Sequence, residues 1–153
     1  MAVEALGKTN RTQWTAQFLV AAELSRRGYT VSFTLGNTPG VDLVVTHLTS
    51  GAQFLVDVKG QASYNTWLVE LEGKPTVESL YYTLVFTGKR READRFFVLS
   101  QAEARYLRDE HKRVRGGKGA LDRTGRFRGF PFNAPSCFEK ECWSRLPPHR
   151  AVP

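Results

Sequence analysis

The chain has 153 residues, is 41% hydrophobic and carries a formal net charge of +7. It is long enough to bury one core, and its apolar runs are far shorter than the roughly 18 residues of a transmembrane span, so one soluble domain over residues 1–153 with no membrane partner is predicted. No charged-then-apolar leader opens the sequence and only two cysteines occur, which argues against secretion and a disulfide scaffold and for a cytoplasmic, intracellular protein.

The first predicted element is an amphipathic helix that Thr9 or Asn10 caps and that Gly28 closes in the left-handed conformation. Its predicted apolar face consists of Trp14, Phe18, Val20, Ala21 and Leu24. A strand over residues 30–35 follows, and the turn-forming residues 36–40 separate it from the next strand.

Two apolar runs, residues 41–45 and 54–60, predict a pair of strands that deliver two acids. Asp42 enters the first strand and Asp57 lies near the end of the second. The sequence Thr49-Ser50-Gly51 predicts a hairpin between them.

The side-chain alternation of the second strand places Asp57, Lys59 and Gln61 on one face, with Val56 and Val58 on the opposite, core-facing side. Taken alone, the acid and the lysine would be an ordinary same-face ion pair. Two carboxylates beside a lysine are also what metal-assisted cleavage of a phosphodiester requires, since the acids hold a divalent cation and the lysine orients or polarises the attacking water.

The string acid-x-Lys occurs three times in the chain, so its setting decides its meaning. Only Asp57-Val58-Lys59 lies at the end of an apolar run. Glu72-Gly73-Lys74 is interpreted as a turn and Glu110-His111-Lys112 as the charged end of a helix.

The later elements complete a predicted α/β domain with a central mixed sheet flanked by helices. Strands are expected at residues 67–71, 80–86 and 96–99. A helix over residues 101–112 should face inward with Ala104 and Leu107, and a short last helix over residues 138–146 should be anchored by Trp143.

The net positive charge comes from residues 89–128, which hold thirteen Lys/Arg against six Asp/Glu. The acids and bases of the remaining residues cancel. Such a block is the electrostatic footprint expected for a polyanion such as DNA, and its expected contacts are Lys89, Arg90, Arg91, Arg113, Arg115, Lys118, Arg123, Arg126 and Arg128. The alternative is a solubilising surface or a loop without a partner. In the loop of residues 116–136, arginines interleave with phenylalanines, which suits either a substrate clamp or aromatic docking on the body.

The order of these parts resembles the PD-(D/E)XK nuclease superfamily, near small Holliday-junction-resolvase-like and homing-endonuclease-like members. The shared pattern is a helix ending in Gly-aromatic, a strand, an acid entering a second strand and acid-x-Lys on a third, and it covers residues 10–62. The resemblance implies a restriction-endonuclease-like core that hydrolyses DNA with Mg²⁺ or Mn²⁺. It implies that Asp42, Asp57 and the carbonyl of Val58 are the metal ligands. It also implies that Lys59 positions the nucleophilic water and that Gln61 contacts the scissile phosphate or a metal-bound water.

The chain departs from that pattern on the first helix. Many relatives carry a glutamate where this chain has Gln17, and Glu23 is the only acid between residue 10 and Gly28. Either Glu23 supplies the missing charge or this part of the site is weakened. The sequence therefore predicts a metal-dependent endonuclease, acting as a homodimer where both strands are cut. It leaves open a non-catalytic nucleic-acid-binding module, or a subunit that docks its basic segment on an acidic protein.

Overall fold

The computed structural model describes residues 2–35, 40–69, 71, 74–88, 92–115, 129–131 and 142–148. Within these residues the chain is an α/β domain built on a mixed five-stranded sheet with helices packed against it. The predicted fold class is therefore confirmed at this level, and the restriction-endonuclease-like core remains a prediction. None of the described helices combines the length and apolar character needed to cross a bilayer.

The elements follow one another along the chain as α1 (Ala2–Arg26), β1 (Tyr29–Phe33), β2 (Leu43–His47), β3 (Gln53–Gln61), β4 (Thr66–Leu68), β5 (Leu80–Phe86), β6 (Arg95–Ser100), α2 (Gln101–Arg115), β7 (Gly129–Pro131) and a 3₁₀ turn (Cys142–Arg145). The sheet has the order β1-β2-β3-β5-β6. Strands β3 and β5 run parallel, and the other neighbours are antiparallel. Strands β4 and β7 form a separate antiparallel ladder.

Helix α1 differs from its prediction at the start and on its buried face. It begins at Ala2, so Thr9 and Asn10 lie inside the helix and neither caps it. The preceding residues include good helix formers, which carry the helix past a local capping signal. Its end is as predicted, since Gly28 adopts a φ of 87°.

The face of α1 that packs on the sheet is lined by Ala16, Val20 and Leu24, which are fully buried. Trp14 and Phe18, predicted to face the core, are 48% and 59% exposed. The reason is close approach: a Cβ added to Gly60 of β3 would stand 2.7 Å from the Cβ of Ala16. Small residues at this crossing bring the helix against the strand, and that rotation turns the two aromatic rings outward.

The core lies on both faces of the sheet. Helix α1 and the 3₁₀ turn cover one face, where Val56, Val58 and Trp143 are buried. Helix α2 and the β4–β7 ladder cover the other, with Ala104 and Leu107 buried as predicted. Every residue of β5 is buried, as expected for a strand covered on both sides, and its bounds match the predicted residues 80–86.

The remaining predictions differ from the structure in extent. The hairpin between β2 and β3 is confirmed, and Gly51 has a φ of 70°. Helix α2 runs to Arg115, three residues beyond its predicted end. The predicted last helix is a 3₁₀ turn where it is described, and residues 132–141 lie outside the described part of the chain. The predicted loop of residues 116–136 contains β7, whose Phe130 is fully buried.

Candidate functional site

The candidate site lies where strand β3 extends past the end of its neighbour β2. The β2–β3 ladder runs from the pair Thr46–Gln53 to the pair Leu43–Val56, while β3 continues to Gln61 alongside β5. The backbone of β3 beyond Val56 therefore has a strand partner on one side only. Side chains bind the polar groups on its open side.

Asp42 binds this open edge immediately before β2 begins. Its backbone N–H donates to the carbonyl of Val56 at 2.9 Å, which extends the ladder by one contact. Its Oδ2 accepts the N–H of Val58 at 2.7 Å, and its Oδ1 accepts Nε2 of Gln17 at 2.9 Å. The predicted acid is thus fixed in orientation by one bond from the strand and one from α1.

Gln13 continues the same edge and was not predicted to take part. Its Nε2 donates to the carbonyl of Val58 at 2.7 Å, and its Oε1 accepts the N–H of Gly60 at 3.2 Å. The side-chain amide thus takes the place of a peptide group of a neighbouring strand. The available signal was its spacing, since it lies four residues before Gln17 and hence on the same helix face.

The predicted pair of Asp57 and Lys59 is confirmed as a same-face ion pair. Lys59 Nζ lies 2.6 Å from Asp57 Oδ1. Asp57 is 3% exposed, whereas a third of the lysine side chain reaches solvent. Asp57 Oδ1 is buried and receives no aligned hydrogen bond, so the ammonium of Lys59 compensates its negative charge electrostatically.

Both aspartates are held in surroundings that favour their neutral forms. Burial raises the pKa of Asp57, and the Asp42 carboxylate adds to the rise, while Lys59 and Lys74 oppose it. Burial also raises the pKa of Asp42, against the lowering effects of the Val58 N–H and Lys59. Two such carboxylates close together favour binding a cation, because a positive charge offsets the cost of keeping both ionised.

Gln61, predicted to belong to the site, lies on β3 like Asp57 and Lys59, but its side chain binds the backbone of β4. Its Nε2 donates to the carbonyl of Thr66 and so ties β4 to the end of β3. Beyond Lys59 the surface opens into a cleft of about 440 Å³, lined by Thr12, Gln13, Lys59, Gln61, Asn65 and Leu68 among others. The cleft gives a substrate access to the lysine.

Glu23 is not brought to this site. Its two carboxylate oxygens bind Arg26 at 2.7 Å and Arg27 at 2.9 Å, within the last turns of α1. It also lies six residues, or about 9 Å along the helix axis, from Gln17. Of the two residues considered for the third position of the site, Gln17 is the one that contacts Asp42.

Lys74, which was predicted to lie in a turn, has its ammonium near Asp57. A Cβ placed on Gly40 would stand 3.4 Å from Lys74 Nζ and 3.8 Å from Asp57 Oδ2. Gly40 has a φ of 76°, a conformation that favours glycine. The ammonium of Lys74 and the carboxylate of Asp57 therefore both border Gly40.

The donors at this edge suit a hard divalent cation. Asp42, Asp57 and the carbonyl of Val58 offer oxygen ligands, and Mg²⁺ is commonly held by one or two carboxylates with water completing its shell. Asp57 Oδ2, which borders Gly40, is the oxygen of this carboxylate that a cation would bind, since Lys59 pairs with Oδ1. Among the described residues, no group of three or more His, Cys, Asp or Glu side chains is placed to hold a metal.

The predicted nucleic-acid contacts lie mostly outside the described residues. Arg113 is described: it is exposed on α2 and forms an ion pair with Glu110 at 2.5 Å. The backbone of Arg115 ends α2. The positions outside the described part of the chain are Lys89, Arg90, Arg91, Lys118, Arg123, Arg126 and Arg128.

We expect Gln17→Glu to change how the protein responds to metal. In chelator it should lower the free energy of unfolding by about 1–3 kcal/mol, because it replaces the donor to Asp42 by a second carboxylate. Added Mg²⁺ should then raise the melting temperature more than in the unmodified protein, since a third acid strengthens the site. Thermal melts with and without Mg²⁺ measure both effects.

The matched control for that substitution is Glu23→Gln, which removes an acid from the same helix. It should cost at most about 1 kcal/mol and leave the Mg²⁺ response unchanged, because the partners of Glu23 in the described part of the chain are Arg26 and Arg27 of the same helix. A Mg²⁺ response altered by Glu23→Gln and not by Gln17→Glu would contradict this assignment.

Comparisons with protein-family models, with curated proteins and with solved structures found no match to this chain.

Proposed function

We propose that this chain is a divalent-metal-dependent endonuclease that hydrolyses phosphodiester bonds in DNA. One observation carries the proposal: the buried carboxylate of Asp57, the half-buried carboxylate of Asp42 and the ammonium of Lys59 gather at the open edge of one strand, beside a cleft. A structural ion pair alone has no need of the second acid. The raised pKa values of both aspartates are typical of a site built to perform chemistry, where burial is retained at a cost in stability.

In this proposal each residue of the site has a distinct task. Asp42 and Asp57 hold Mg²⁺ or Mn²⁺ with the Val58 carbonyl, and Gln17 fixes the orientation of Asp42 through its hydrogen bond. A bound divalent cation supplies positive charge to the phosphate and lowers the pKa of water. Lys59, one-third exposed at the mouth of the cleft, orients the attacking water. The water oxygen adds to phosphorus, the bond to the 3′ oxygen breaks, and that oxygen leaves as a hydroxyl.

The test is cleavage of supercoiled plasmid DNA by the purified protein. Nicked or linear product should form with Mg²⁺ or Mn²⁺ and should be absent in excess chelator, because hard carboxylate oxygens favour these cations. Asp57→Asn, purified in parallel, sets the background from contaminating nucleases. Product that forms equally in chelator, or equally with the variant, would refute the proposal.

A second candidate is a nucleic-acid-binding module that keeps the fold without cleaving. The observation that favours it is Gln17 at the position where the resemblance leads one to expect an acid, so that the site has two carboxylates within the described residues. This candidate predicts DNA binding in chelator and no product at any metal concentration. For either candidate we propose a cytoplasmic protein, and for cutting both strands a homodimer that brings one site to each strand.

The basic segment of residues 89–128 should make DNA affinity strongly dependent on salt. Each neutralised phosphate releases counterions, so the logarithm of affinity should fall steeply with the logarithm of salt concentration. Replacing Arg123, Arg126 and Arg128 together by Gln should flatten that slope by about two to three units. Fluorescence anisotropy of a labelled duplex measures the slope. A shallow slope that the triple substitution leaves unchanged would favour an acidic protein as the partner of this segment.

A further inference from the structure

The segment of residues 74–77 is held against α2 by three hydrogen bonds to its backbone. Arg105 Nη2 donates to the carbonyl of Lys74 at 2.7 Å. Gln101, which is buried, donates through Nε2 to the carbonyl of Pro75 at 3.3 Å and accepts the N–H of Val77 through Oε1 at 2.6 Å. Two side chains one helical turn apart thus fix the course of the backbone from which the Lys74 side chain extends.

The Lys74 side chain extends from this segment to the edge of the candidate site. Its ammonium lies 3.4 Å, and Asp57 Oδ2 lies 3.8 Å, from the position that a Cβ on Gly40 would occupy, while Lys59 Nζ lies 2.6 Å from Asp57 Oδ1. Among the described residues, no carboxylate lies within ion-pair distance of the Lys74 ammonium, and the residue is only half-buried.

Lys59 forms the ion pair with Asp57, and Asp42 is held by the Val58 N–H and by Gln17, so Lys74 is not the hydrogen-bonded partner of either acid among the described residues. An ammonium placed beside the site in this way is suited to an anion brought in by a substrate. A lysine acts as a compact point charge that binds phosphate oxygens readily. Its fixed backbone limits the entropy lost when the side chain binds.

We propose that Lys74 is a second catalytic lysine, which binds a non-bridging oxygen of the scissile phosphodiester. The inference rests on the proposed function of the same site and assigns it a residue outside the acid-x-Lys motif. In this arrangement Lys59 orients the attacking water, and Lys74 binds the phosphate. Without substrate, the Lys74 charge stands near the metal ligands and weakens cation binding, so its removal should affect metal affinity and cleavage in opposite directions.

The experiment compares Lys74→Gln with Arg26→Gln, which removes the same charge from an exposed position on α1, outside the basic segment of residues 89–128. The readouts are Mn²⁺ affinity by titration calorimetry without DNA, and kcat for plasmid cleavage. Lys74→Gln should lower kcat by about 10- to 100-fold, since it loses one charge-assisted hydrogen bond to phosphate. It should also tighten Mn²⁺ binding by about threefold or more, because a nearby positive charge is gone. Arg26→Gln should change neither.

Lys74→Met keeps the alkyl stem and repeats both measurements should the Gln variant fail to unfold cooperatively. Cleavage and Mn²⁺ affinity equal to those of the unmodified protein would overturn the role of Lys74 and leave the proposed function standing. Weaker Mn²⁺ binding by the variants would overturn it as well, since it would make Lys74 a structural support of the site. An unmodified protein that neither binds Mn²⁺ nor cleaves would refute the proposed function and this inference together.

Discussion

Asp57→Asn should reduce metal-dependent DNA cleavage by about 1,000-fold or more while raising the free energy of unfolding at neutral pH. The loss of activity follows from removing a ligand that holds the cation, a change of the size seen when a member of a catalytic group is deleted. The gain in stability follows from burial. Asp57 is 3% exposed and its Oδ1 lacks an aligned hydrogen bond, so the folded protein bears the cost of a poorly solvated charge.

The pH dependence of that gain has a definite sign. Burial raises the pKa of Asp57 in the folded chain above its ordinary value of 3.8. Between that value and the raised one, the folded state binds more protons than the unfolded state, so this residue makes stability fall as pH rises. Asn carries no such cost. Urea unfolding should therefore show the advantage of the variant growing as pH rises from 3.8, and it should disappear as pH falls toward 3.8.

Asp42→Asn is the matched control, because the pKa of this aspartate is raised as well. Both of its oxygens accept hydrogen bonds, from Val58 N and Gln17 Nε2, so an Asn amide would set a donor against one of them. It should lose activity and stability together. A lower melting temperature for Asp57→Asn than for the unmodified protein at pH 7 would contradict the prediction and make Asp57 a structural counter-ion.

The fold could be predicted where local pattern and burial agree. The residues of β5 are apolar without interruption because both faces of that strand are covered, and its bounds were predicted correctly. The face of Asp57 and Lys59 followed from simple alternation along β3. The buried face of α1 was predicted correctly at Val20 and Leu24 and wrongly at Trp14 and Phe18. Hydrophobicity favours Trp14, while the crossing with Gly60 admits only a residue as small as Ala16. That preference depends on which strand the helix meets, and a helical pattern does not encode it.

The candidate site could be predicted only for residues that are close together in the sequence or that follow the hydrophobic pattern of the strands. Asp42 and Lys59 come together because the β2–β3 ladder ends at the pair Leu43–Val56, next to Asp42, while β3 runs on through Lys59. Gln13 binds the Val58 carbonyl because the β2–β3 ladder ends at the pair Leu43–Val56 and leaves that carbonyl without a strand partner. Lys74 reaches Asp57 because α2 holds its backbone, and that helix follows 27 residues later in the sequence, at Gln101. No local signal in a glycine-containing turn reports a contact of that kind.

Lys59→Met should also remove most of the cleavage activity, by about 100- to 10,000-fold, but with the opposite effect on stability. The loss is that of a group that orients and polarises the attacking water. In chelator the variant should be less stable at neutral pH by about 1–2 kcal/mol, because Asp57 loses its ion-pair partner at 2.6 Å. The value lies below that of a fully buried pair, since a third of the lysine side chain is exposed. Plasmid cleavage and urea unfolding measure the two effects.

The double variant Asp57→Asn with Lys59→Met tests whether the two residues contribute to stability as an ion pair or independently. If the cost of Lys59→Met arises from an uncompensated Asp57 carboxylate, removing that carboxylate should abolish the cost, and the double variant should be about as stable as Asp57→Asn alone. Mg²⁺ should likewise stabilise Lys59→Met in melts, because a cation replaces the lost ammonium, and should leave the double variant unaffected. A double variant that shows the sum of both single changes would mean that Asp57 and Lys59 act independently, and the ion pair would not be the organising contact of the site.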